Sequence, residues 1–134
     1  MHALVDAHIK GRAAHKRTTD TYFEGKGLKV KSCAVGAIYY GLYGKIPESP
    51  ITVPTVIAGD WPQFRNYLIP IPCEHREGEL DVGMIDFDGD KGNIVGILIH
   101  LNDHHPKDWP DKKIQEWLAK TLEEYDRIQT LPQV

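Results

Sequence analysis

The residues best suited to chemistry begin with a cysteine at the start of an apolar run. Cys33 follows Ser32 at the beginning of S-C-A-V-G-A-I-Y-Y-G-L-Y-G. We interpret Ser32–Gly44 as a buried helix that is capped by Ser32 and ends at Gly41 or Gly44. A thiol in the first turn of a helix is favoured as thiolate, which is the nucleophile that cysteine hydrolases use.

His100 and the polar pair Asn102-Asp103 could supply the other groups of such a site. In the predicted structure His100 ends a buried strand, and the pair follows it directly. The order cysteine, histidine, asparagine or aspartate is similar to that of papain-type and NlpC-type thiol hydrolases, in which the cysteine opens a helix packed on a sheet. The candidate catalytic residues are therefore Cys33, His100, Asn102 and Asp103.

We favour a structural interpretation of the same residues. The usual flanking motifs of these hydrolases are missing, and burial in an apolar run would raise the pKa of Cys33. Cys33 would then be a small buried side chain beside a glycine-lined contact. Asn102 and Asp103 would bond to nearby backbone and set the turn that follows.

A second set of residues has the chemistry of a zinc site. One segment holds Cys73-Glu74-His75, and a second holds His100, Asn102, Asp103, His104 and His105. Thiolate and imidazole are the ligands that zinc prefers, and two or three from each segment would complete a tetrahedron. The candidate metal ligands are Cys73, His75, His104 and His105. The C-x-H pair lacks the spacing of a zinc knuckle, and adjacent histidines also occur on solvated loops. We therefore predict that the protein has no cofactor, and a bound zinc ion is the alternative.

Alternating acidic residues form a third pattern. Asp86, Asp88 and Asp90 resemble the opening of a calcium loop, but the glycine is Gly89 and the twelfth position is Ile97 instead of glutamate. A charged hairpin turn explains this stretch better.

The predicted central helix has two different faces, and these would position the candidate site. Small residues at helical spacing would let another element's backbone approach closely; they are Cys33, Gly36, Ala37, Gly41 and Gly44. The bulky side consists of Val35, Ile38, Tyr39 and Leu42. A helix that is apolar all round belongs at the centre of a domain.

The flanking segments predict helices at both ends of the chain and a β-hairpin between them. His2–His15 has apolar residues near helical spacing, and 18–23 suits a short strand or turn. Leu80–Phe87 and Asn93–Leu101 are interpreted as the two strands of the hairpin. The last helix begins at Pro110, and its core stripe comprises Ile114, Trp117, Leu118, Leu122, Tyr125 and Ile128.

A proline-rich segment at 45–72 interrupts this order. Its prolines exclude long helices; they are Pro47, Pro50, Pro54, Pro62, Pro70 and Pro72. The one helical signal begins at Asp60, which we interpret as an N-cap. The segment is predicted to be either a surface excursion or an interaction loop.

Composition limits the class of protein. The 134 residues suit one domain, 1–134, and a net charge of -3 argues against bulk electrostatic binding of nucleic acid. Arg12, Lys16 and Arg17 form a local basic patch that we interpret as a solvated helix face. No apolar run is long enough for a membrane span, and no secretory signal is visible. With two cysteines and no export signal, we expect reduced thiols and a cytoplasmic location.

Two segments resemble a family of small bacterial and phage proteins of uncharacterised function. They are S-C-A-V-G-A-I-Y-Y-G and I-H-L-N-D-H-H-P-K-D-W-P-D-K-K-I-Q-E-W-L. The family shows a C-A-L-G-A segment and, later, H-L-N-D before a tryptophan and an amphipathic helix; the matching residues are Cys33, Gly36, Ala37, His100, Leu101, Asn102, Asp103, Trp109, Ile114 and Trp117. Where many members carry C-P-x-C, this chain has Cys73-Glu74-His75-Arg76, so half of a zinc pair is present. The resemblance supports a fold and implies no activity.

The sequence as a whole predicts an α+β domain. A buried central helix would pack on the β-hairpin, with N- and C-terminal helices outside. Asn102 and Asp103 would lie near the N-terminus of the central helix and hold the loop into Trp109. We expect a non-catalytic binding or accessory module with a protein partner, such as a subunit of a larger assembly; the alternatives are the thiol hydrolase and the zinc-stabilised module.

Overall fold

The computed structural model describes residues 2–73 and 91–131, and within them the protein has the predicted α+β architecture. The helices are α1 (Ala3–Ala14), α2 (Ala34–Tyr43), α3 (Val53–Asp60), α4 (Gln63–Asn66), α5 (Ile94–His104) and α6 (Asp111–Gln129). The strands are β1 (Lys16–Arg17), β2 (Phe23–Glu24), β3 (Lys31–Ser32), β4 (Leu68–Pro70) and β5 (Lys91–Asn93). Short 3-10 helices span Gly27–Lys29 and Pro50–Thr52.

The central helix is where the apolar run predicts it, with its first residue shifted. Cys33, and not Ser32, occupies the N-cap position, and its Sγ accepts a hydrogen bond from the Gly36 N–H at 3.4 Å. At the other end Gly44 adopts a left-handed conformation, with φ of 71°, and stops the helix. Of the two predicted ends, Gly44 is correct.

Helix α1 packs against the small-residue face of α2. A Cβ atom added at Gly41 would lie 1.9 Å from the carbonyl oxygen of Ala7, and one at Gly11 would lie 1.9 Å from that of Ala37. The two helices therefore touch backbone to backbone at two reciprocal points. The predicted close approach is confirmed, although the partner is α1 and not a strand leading to His100.

The prediction of a strand over Asn93–Leu101 is wrong, because this run forms α5. The side chain of Asn93 caps the helix: its Oδ1 accepts a hydrogen bond from the Gly96 N–H at 2.7 Å. A helix buried on nearly every side shows the same continuous apolar run as a covered strand. His100 consequently lies within a helix, and the predicted strand Leu80–Phe87 and the acidic repeat Asp86 to Asp90 lie outside the described residues.

The proline-rich segment contributes to the core instead of only covering it. It contains α3, α4 and β4, and Val53, Ile57 and Phe64 are fully buried. Pro54 lies in the first turn of α3, where its missing N–H costs no hydrogen bond. Asp60 ends α3 and accepts a hydrogen bond from the Tyr43 hydroxyl at 2.7 Å, so its predicted role as an N-cap is wrong.

Two small sheets and α6 complete the domain. In the first sheet β3 lies between β1, to which it is parallel, and β2, to which it is antiparallel. In the second, β4 and β5 pair antiparallel. Helix α6 follows the predicted pattern in its first three turns, where Ile114, Leu118 and Leu122 are fully buried; the prediction is wrong for Ile128, which is 41% exposed. Across 2–73 and 91–131, no helix combines the length and the apolar character needed to cross a membrane.

Candidate functional site

Asn102 is a fully buried connector between three parts of the chain. Its Oδ1 accepts a hydrogen bond from the Ala34 N–H at 3.0 Å, at the start of α2. Its Nδ2 donates to the carbonyl oxygen of Thr18 and to Oδ1 of Asp103, both at 2.8 Å. The prediction that Asn102 and Asp103 lie near the N-terminus of the central helix is confirmed. Every bond of the Asn102 amide serves the architecture.

The thiol of Cys33 is held in its protonated form. The side chain is 3% exposed, and burial raises its pKa to about 11, although backbone hydrogen bonds from Gly36 and Val35 act in the opposite direction. Burial thus outweighs the helix N-terminus, which would favour thiolate. The environment suits a capping group better than a nucleophile.

We expect Cys33 to react slowly with iodoacetamide. A pKa about two units above normal lowers the thiolate fraction near neutral pH by about a hundredfold. Alkylation at pH 7.5, followed by peptide mass spectrometry, should label Cys73 of the chelator-treated protein at least ten times faster than Cys33. Equal rates in the folded protein would show that Cys33 is activated and would return the hydrolase to consideration.

A second cluster joins a cysteine to two histidines. The Sγ atom of Cys73 and one ring nitrogen each of His100 and His105 all lie within 4.8 Å of one another. Cys73 lies just beyond β4, His100 is in the last turns of α5, and His105 directly follows that helix. His100 is 2% exposed, and the other two side chains are half-buried.

The cluster differs from both predicted sets. Cys73 and His105 are among the four candidate metal ligands, whereas His100 belongs to the wider predicted zinc constellation and to the predicted catalytic set. His104 is exposed and not part of the cluster; its ring centroid lies 5.4 Å from that of His100. His75 lies outside the described residues. Because the run before His105 is a helix and not the predicted strand, His100 lies in the last turns of α5 and His105 directly after it.

The donor set and its spacing fit a transition metal. Zinc bonds of about 2.0–2.3 Å in a tetrahedron place ligand atoms about 3.3–3.8 Å apart. The three donor atoms lie within 4.8 Å of one another, so a bound zinc requires a contraction of at most about 1–1.5 Å. The rings of His100 and His105 already lie close, with centroids 4.9 Å apart. The negative end of the α5 dipole also favours a cation here.

Arg17 holds the same end of α5, and sequence analysis missed this role. Its guanidinium donates to the carbonyl oxygens of Trp109 at 2.6 Å, Asn102 at 3.3 Å and Leu101 at 3.4 Å. The loop into Trp109 is therefore held by Arg17, whereas the side chain of Asn102, predicted for this role, bonds Ala34, Thr18 and Asp103. The long cation satisfies helix-end carbonyls that have no partner within the helix.

Arg12 is likewise a structural cation. It donates to the carbonyl oxygen of Ser32 at 2.9 Å, and its Nε lies 3.0 Å from a carboxylate oxygen of Asp111. Its side chain is only 12% exposed. The interpretation of Arg12, Lys16 and Arg17 as one solvated helix face is wrong for both arginines, whereas Lys16 is exposed.

No protein-family model, curated protein or solved structure matches the chain. The resemblance to the bacterial and phage family therefore stays a prediction. The function has to be inferred from the site itself.

Proposed function

We propose that the protein is a small, non-catalytic module stabilised by one zinc ion bound to Cys73, His100 and His105. The observation that carries the proposal is the convergence of one thiol and two imidazoles within 4.8 Å. Thiolate and imidazole together select zinc over calcium and magnesium, which prefer oxygen ligands. A structural zinc has four ligands, so the proposal requires one more protein ligand in addition to these three side chains.

The ion would join two segments that lie far apart in sequence. Cys73 follows β4, whereas His100 and His105 belong to the end of α5, which begins directly after β5. Strands β4 and β5 already pair with each other, so a bound zinc ion would add a second link between the segment after β4 and the helix after β5. Binding free energy at such a site adds to the stability of the fold.

Two further observations support a non-catalytic module over the thiol hydrolase. Burial keeps Cys33 protonated, and the amide of Asn102 is engaged with Ala34 and Thr18. Cys33 is therefore poorly suited to act as a nucleophile, and the Asn102 amide is already engaged with backbone groups. We also propose a reducing, cytoplasmic location, because two cysteines do not make a disulfide framework.

Zinc should raise the melting temperature of chelator-treated protein by about 10 °C. A ligand at a hundred times its Kd stabilises the folded state by about 2.7 kcal/mol, and a domain of this size gains about 3–4 °C per kcal/mol. Native mass spectrometry should find one zinc per chain, and calorimetry should find at least tenfold weaker binding for Cys73→Ser and for His105→Ala.

His104→Ala is the matched control, because it removes a neighbouring imidazole that lies outside the cluster. We expect its affinity for zinc to stay within about threefold of that of the unmodified protein. Unchanged binding in Cys73→Ser, or an equal loss in His104→Ala, would contradict the assigned ligands.

A further inference from the structure

We propose that a second site, the basic cleft, binds an acidic segment of a partner protein. One wall of the basic cleft is the end of α1 together with the start of β1, and the other wall is the segment that leads into β3. Its volume is about 460 Å³. It is lined by residues 12–16 and 28–31. Its size falls within the range of cavities that bind ligands.

Three lysines give the basic cleft its charge. Lys16 and Lys31 are direct partners on the parallel strands β1 and β3, and Lys29 lies two residues before Lys31. All three side chains are exposed, and none is within ion-pair distance of a described carboxylate. Like charges directly opposite one another destabilise a sheet. An anionic ligand between them would remove that repulsion.

The remaining ionisable groups at the cleft do not add to this charge. Arg12 is paired with Asp111, and burial, together with the nearby Arg12 cation, lowers the pKa of His15, which keeps its ring neutral near pH 7. Glu24, the partner of Lys31 on the other side of β3, offsets one positive charge but does not line the basic cleft, and its carboxylate accepts a hydrogen bond from the Thr18 hydroxyl at 2.6 Å. The positive charge at the basic cleft therefore comes from the three lysines, although the chain as a whole has a net charge of -3.

An exposed leucine at the rim distinguishes the expected ligand from a simple anion. Leu28 lies in the 3-10 helix between Gly27 and Lys29, and its side chain is fully exposed. An acidic peptide that also carries an apolar residue would pair with the lysines and cover Leu28. None of the nine lining residues is Phe, Tyr or Trp; the His15 ring is buried against Tyr40 and Arg12 is engaged by Asp111, so the basic cleft offers little of the stacking surface that single-stranded nucleic acid uses.

Fluorescence anisotropy with a labelled peptide of alternating glutamate and leucine tests the proposal. The full chain as purified should bind the peptide at low ionic strength, and binding should weaken as salt increases. The double variant Lys16→Ala/Lys31→Ala should bind at least tenfold more weakly, and Leu28→Ala about threefold more weakly. Lys45→Ala/Lys107→Ala removes the same charge from exposed positions elsewhere and should bind within twofold of the unmodified protein.

Three results would overturn the basic cleft as a site for an acidic segment. These are equal binding of a peptide with glutamine in place of glutamate, an equal loss in the control double variant, and tighter binding of a labelled single-stranded oligonucleotide. All substituted side chains are exposed, so circular dichroism should show every variant folded. The test does not involve the zinc ligands, and its failure would leave the proposed function untouched.

Discussion

Gly41→Ala is expected to destabilise the protein by about 3 kcal/mol or more, although alanine is intrinsically the better helix former. The new Cβ would lie 1.9 Å from the carbonyl oxygen of Ala7, which belongs to the backbone of α1 and cannot rotate away. The helices would have to separate along the contact that organises the core. The gain of about 1 kcal/mol in helix propensity offsets only part of this cost.

Urea unfolding followed by circular dichroism measures the effect on the free energy of unfolding. Gly59→Ala is the matched control: it lies in α3, and its added Cβ would meet nothing within 4 Å. That variant should be as stable as the unmodified protein or slightly more stable. Equal stability of Gly41→Ala and Gly59→Ala would contradict the backbone contact between α1 and α2.

Asn102→Ala should cost about 3 kcal/mol or more of stability. The substitution leaves the Ala34 N–H and the Thr18 carbonyl without their side-chain partner in a buried position. Each unsatisfied buried group costs about 1–3 kcal/mol, and the lost volume adds to this. Urea unfolding gives the difference, and Asn66→Ala, at an exposed position on α4, should change stability by less than about 0.5 kcal/mol.

The conservative variant Asn102→Asp separates the two halves of this role. A carboxylate keeps the acceptor for the Ala34 N–H at the N-terminus of α2, but it loses the donor to Thr18 and repels the neighbouring Asp103. We expect a loss of stability close to that of alanine at pH 7, with partial recovery at acidic pH as the introduced carboxyl group protonates. Wild-type stability of either variant would show that Asn102 does not connect these segments.

The features that sequence predicted best depend on small residues and on helix ends. The glycines of α2 predicted a close backbone contact, and Gly11 and Gly41 make it with their opposite helices. Pro110 predicted the start of α6. Such signals are strong because a missing side chain or a missing N–H restricts what the backbone can do, whatever the tertiary context.

Helix α5 could not be predicted by periodicity because burial removes the polar face that reveals it. The one local signal was Asn93 as an N-cap, and the β-branched residues that follow outweighed it. This error placed His100 at the end of a strand instead of in the last turns of a helix. The sequence predicted that Asn102 lies near the start of the central helix. It did not predict the hydrogen-bond partners of Asn102, because Thr18 and Ala34 are distant from it in sequence.

X-ray absorption spectroscopy of the zinc-loaded protein tests the central claim most directly. We predict one sulfur at about 2.3 Å and imidazole nitrogens at about 2.0–2.1 Å, with the sulfur signal lost in Cys73→Ser and kept in Cys33→Ser. A spectrum with only oxygen and nitrogen neighbours, or a sulfur signal that persists in Cys73→Ser, would contradict a zinc site built from Cys73, His100 and His105.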